Sequence, residues 1–60
     1  MASKRRYSVE IFQHADMVQA EDVEKHLNDM DSLGYELSMI INVPQANKMA
    51  IVMEREEEDN

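Results

Sequence analysis

His14, Asp16 and His26 are the side chains of this chain best equipped to hold a metal, since two imidazoles and a carboxylate make the donor set of an open zinc site. Their spacing argues against it. No HExxH pair on one helical face stands beside them, and the chain contains no cysteine. The histidines read instead as solvent-facing or cap-adjacent residues, and neither a metal nor another cofactor is expected. Nucleophilic chemistry has no better footing. Ser3, Ser8, Ser32 and Ser38 lack the context of a nucleophile elbow, and the lone Gly34 cannot build a glycine-rich phosphate cradle. These residues point away from an enzyme.

Charge narrows the partners. Thirteen acidic against six basic residues give a net charge of -7, with a sequence pI near 4.5. Such a surplus repels a phosphate backbone and an anionic membrane, so neither nucleic acid nor membrane is expected as a partner. Lys4, Arg5 and Arg6 form a basic run, but the outward strand positions include Glu10, Glu36 and Glu54, and only Phe12 offers an aromatic there for base stacking. The acids suggest a different surface. Glu21, Asp22, Glu24 and Asp29 would share the outward side of a helix with Asp31, relieved by Lys25 and Asn28. A stripe of that kind could imitate a row of phosphates and fill a DNA-binding groove on another protein. The plainer reading is a solvated face.

The elements that would position these groups follow from periodicity. Arg6 to Phe12 alternates, with Tyr7, Val9 and Ile11 on one side and Ser8 and Glu10 on the other, the mark of a half-buried strand. Ala20, Val23, Leu27, Met30 and Leu33 then recur at helical steps and place one apolar stripe on an amphipathic helix. That helix begins near Met17 if Asp16 and Gln19 form a capping box, or near Ala20 if Glu21 and Asp22 fill its first turn. Gly34 closes it, because glycine takes the left-handed conformation without a Cβ penalty. A second strand alternates from Tyr35, with Tyr35, Leu37, Met39, Ile41 and Val43 expected on the helix-covered face.

Pro44-Gln45-Ala46-Asn47 supplies a turn into a third strand from Lys48 to Arg55. Met49, Ile51 and Met53 are assigned to the helix-covered core, which requires an odd loop or a bulge. A plain four-residue turn would exchange the two faces of the strand. The expected fold class is α+β, a single β-α-β-β domain over residues 1–55 whose three-stranded sheet is covered on one face by one helix, followed by an acidic disordered tail at 56–60. The third strand is placed in the centre, since antiparallel pairing there brings Lys4, Arg5 and Arg6 beside Glu54, Glu56 and Glu57.

Size supplies the last constraint. A chain of 60 residues buries only about 60% of the surface its unfolded form exposes. Without cysteine to form disulfides, association becomes the expected staple. The contact would use the sheet face away from the helix, where a monomer is expected to leave Phe12, Ile40, Ala50 and Val52 in water. No apolar run approaches the roughly 20 residues that span a bilayer, and Met1 to Tyr7 lacks a signal-peptide core, so a cytoplasmic protein is expected.

Gly34-Tyr35-Glu36-Leu37, together with Val23-Glu24-Lys25-His26-Leu27-Asn28 and Ala50-Ile51-Val52, resembles a family of very small, functionally uncharacterised prokaryotic and phage domains. Its members turn from helix to hairpin through Gly-Trp/Tyr-Glu-Leu, and Tyr35 stands where Trp is often found. The likeness covers Tyr7 to Arg55. It implies the strand-helix-strand-strand fold and a prokaryotic or phage setting, and it brings no catalytic residue with it.

The expected function is a non-enzymatic interaction module, a homo-oligomer that binds another macromolecule, in a phage setting a modulator of a host protein. The alternative is an oligomer whose interfaces form nucleotide-type pockets, with Arg5, Arg6 or Lys48 supplying positive charge.

Overall fold

Alternating apolar side chains make the strands of this chain, and one apolar stripe makes its helix. The structure, a computed structural model, describes residues 3–58: β1 (Ser3–Gln13), α1 (Ala20–Asp31), β2 (Glu36–Val43) and β3 (Lys48–Glu58). The sheet order is β1-β3-β2, with β3 antiparallel to both neighbours. The α+β class, the element order and the central third strand agree with the sequence reading.

The later of the two expected helix starts is the one adopted. The Gln19 side chain accepts from the backbone of Asp22, while Asp22 Oδ2 accepts from the Gln19 backbone N–H at 3.2 Å. Gly34, at φ 87°, closes the other end. Its N–H donates to Asp31 O at 2.9 Å and the Tyr35 N–H donates to Met30 O at 3.0 Å, the paired bonds of a Schellman closure. Arg55 of β3 then grips this junction. Its Nη1 donates to Leu33 O at 2.9 Å, and its guanidinium carbon lies 4.9 Å from the centre of the Tyr35 ring.

A second clasp holds the entry to the helix. Asn47 ends the four-residue turn between β2 and β3 in the left-handed region, at φ 53°. Its backbone O accepts from the Ala15 N–H at 2.8 Å, its Oδ1 accepts from the Asp16 N–H at 3.0 Å, and its Nδ2 donates to Asp16 Oδ1 at 2.6 Å. The loop leading into α1 is thereby tied to the hairpin turn.

The faces of the sheet correct part of the sequence reading. Ile51 and Met53 are the fully buried core, at 0% and 2% exposure, as assigned. Phe12, however, lies on the helix side, with its ring edge-on to His26 at 6.0 Å and 82°. Residues opposite one another across a ladder share a face. Ser8, Glu10 and Phe12 oppose Met53, Ile51 and Met49, so they stand on the helix side, and Tyr7, Val9 and Ile11 face away. In β2 a bulge between Leu37 and Met39 changes the facing midway. Leu37 and Ile40 oppose Met53 and Ile51 on the helix side, whereas Met39 and Ile41 oppose Val52 and Ala50 on the open side. The four-residue turn did exchange a face. It exchanged that of β2 from Met39 to Val43, while Leu37 and the core of β3 kept their expected side.

Three further expectations change. Glu56, Glu57 and Glu58, expected in a disordered tail, are strand residues opposite Arg5, Lys4 and Ser3; residues 59–60 lie outside the described ones. Glu57 Oε2 lies 2.8 Å from Arg6 Nε and 3.7 Å from Arg55 Nη2, ion pairing that helps hold the strand ends in register. His26, expected toward solvent or at a cap, instead belongs to the half-buried face of α1 with Val23, Leu27 and Met30, and its Nε2 is closed off from water without a hydrogen bond. Ala20 and Leu33 of the expected stripe are exposed.

Candidate interaction face

Strand pleating puts every second residue on the side away from α1. On that side the register builds successive rows across β1, β3 and β2: Ile11, Ala50 and Ile41, then Val9, Val52 and Met39. These two rows contain no polar side chain. Val43 continues the patch at one end and Tyr7 at the other. Tyr7, Val9, Ile11, Met39, Ile41 and Val43 are each between 40% and 58% exposed, and no other element among the described residues covers them.

Charged rows bound the patch. At one end Gln13 and Lys48 stand beside Val43. At the other, Glu54 lies between Tyr7 and Glu36, and Arg5 reaches across to both acids, 3.7 Å from Glu36 and 4.0 Å from Glu54. Exposed pairs of this kind contribute about 0.2–1 kcal/mol each, so they shape the potential of the face more than they stabilise the fold. The result is an apolar centre with an acid-rich end and a basic end.

The helix-covered side is the more polar of the two. Ser8, Glu10 and Asn42 interrupt it, and Ile40 lies there beyond the reach of α1, lining a shallow depression of about 400 Å³ with Asp16, Asn47 and Met49.

Of the residues expected at the oligomer face, Ala50 and Val52 lie in the centre of the open side, whereas Phe12 and Ile40 lie on the helix side of the sheet. Tyr7, Val9, Ile11, Met39, Ile41 and Val43 join the face instead. A signal for this was available, because Tyr7-Val9-Ile11 is an uninterrupted apolar alternation. An apolar alternation usually marks the core side, and here it marks the open one. The acidic helix residues Glu21, Asp22, Glu24 and Asp29 are all exposed, but two are committed locally. Asp22 caps the helix and Asp29 accepts from Lys25 Nζ at 3.1 Å.

His14 and His26 do not converge with Asp16. His14 holds a left-handed turn position at φ 59°, Asp16 is engaged by Asn47, and His26 packs on Phe12. Among the described residues no group of three metal-capable side chains forms, and no helix is long and apolar enough to cross a membrane. Comparison with protein-family models, with curated proteins and with solved structures finds no match to this chain.

Proposed function

We propose that this chain is a non-enzymatic interaction module that works as a homo-oligomer, with the open sheet face as its working surface. One observation carries the reading: the face left open is more continuously apolar than the face the chain covers with its own helix. A contiguous apolar surface of this kind marks a site of association. Its open, three-stranded form suits another protein surface better than a small ligand, which needs a concave enclosure. Covering it by self-association turns α1 outward, where Glu21, Glu24 and Asp31 remain exposed to a further macromolecule.

Thermal unfolding over a range of protein concentrations tests this. A chain stabilised by its own association melts higher as concentration rises, by roughly 5 °C or more over a hundredfold range for a domain of this size. A melting temperature unchanged across that range overturns the proposal.

A further inference from the structure

We infer that a second copy of this chain covers the open face, stacked sheet on sheet about a two-fold axis that crosses the strands at the level of Ile51. This rests on the reading of the open face as the working surface, and it names the occupant and how it sits.

Area is the first support. The accessible surface is 4680 Å², against roughly 4,000 Å² for a compact folded monomer of this mass. The surplus is on the order of the 600 Å² per partner at which specific interfaces begin. The radius of gyration agrees, at 13.3 Å where a compact domain of this length has about 10 Å. The chain thus exposes more surface than a compact monomer of its mass, by an amount of the size one sheet-on-sheet contact would bury.

The rows of the face supply the arrangement. Sheets pack about 10 Å apart with strand directions within about 30° of each other. An axis across the strands at Ile51 runs midway between the rows of Ala50 and Val52. It lays the Ile11, Ala50 and Ile41 row of one copy over the Val9, Val52 and Met39 row of the other, so apolar meets apolar throughout the centre. The same operation lays Lys48 over the Glu54 and Glu36 end of the second copy. Two acids, offset by Arg5, then face a lysine, and this happens at both ends of the dimer.

A two-fold axis along the strands would also match the apolar rows. It would set Glu54 over Glu54 and Lys48 over Lys48, placing like charges together at each end. Charge therefore selects the crossing axis, as electrostatic complementarity fixes register at other interfaces.

The test is a charge-swap set, Lys48→Glu, Glu54→Lys and the two combined, with dissociation constants from sedimentation and circular dichroism confirming that each chain folds. The crossing axis predicts that each single swap weakens the dimer about tenfold and that the combined swap restores wild-type affinity. Single swaps that leave a wild-type dimer unchanged overturn the arrangement, as does a combined swap that fails to rescue two weakening singles. Those results leave self-association standing. A wild-type monomer at every concentration overturns both the arrangement and the proposed function.

Discussion

The two sides of this sheet differ in a direction opposite to habit. The side under the helix holds the buried Ile51 and Met53 but admits Ser8, Glu10 and Asn42, whereas the side without a cover has central rows of Val9, Ile11, Met39, Ile41, Ala50 and Val52. A helix of 12 residues, about 18 Å long, cannot shade an 11-residue strand of about 36 Å. The covered side can therefore carry polar residues where α1 does not reach. The open side has no such tolerance. Its uninterrupted apolar rows make sense if something longer and flatter than a helix lies on it, and another sheet is that shape.

The largest effect expected is on the covered side. Ile51→Ala should cost about 2–5 kcal/mol by removing a fully buried side chain from a core that has few others. A domain this small has a total margin of only several kcal/mol, so urea titration should find the variant largely unfolded. Val9→Lys, on the open side, should do something different. It should leave the circular dichroism spectrum of the dilute chain intact and weaken self-association by a hundredfold or more, because a charge would be carried into the centre of the contact. If the two substitutions behaved alike, the contrast between the faces would be lost.

Smaller changes sharpen the contrast by altering stability without touching the open face. Gly34→Ala should cost about 1–2 kcal/mol through its φ alone. An added Cβ there meets nothing within 4 Å, so no steric clash enlarges the effect. Arg55→Lys should cost about 0.5–1 kcal/mol, since a lysine cannot both stack on Tyr35 and reach the Leu33 carbonyl. His26→Leu should raise stability by about 1 kcal/mol, because it removes a ring nitrogen closed off from water without a partner. None of the three should change the subunit number seen by sedimentation.

Local chemistry made much of the fold legible. Gly34 announced the helix end, Asn47 the turn, and the opposite charges of Lys4, Arg5 and Arg6 and of Glu54, Glu56 and Glu57 the central place of β3. Facing is the part that local chemistry does not carry. Periodicity shows which residues share a side, but not which side the helix takes, and a one-residue bulge between Leu37 and Met39 is silent in the alternation of β2. The candidate face was accordingly half legible. Ala50 and Val52 follow from the facing of β3, while Phe12 and Ile40 reach the open side only if the more apolar side of β1 and β2 is the core, which it is not. Arg55 as the anchor of the Leu33-Gly34-Tyr35 junction depends on tertiary proximity across 22 residues of sequence, which no local pattern carries.

Light scattering on a sizing column shows whether a second copy of the chain covers the open face. A mass twice that of the 7.0 kDa chain is expected at tens of micromolar protein. A folded 7.0 kDa monomer at that concentration, with Val9, Ile11 and Met39 standing free in water, would contradict it.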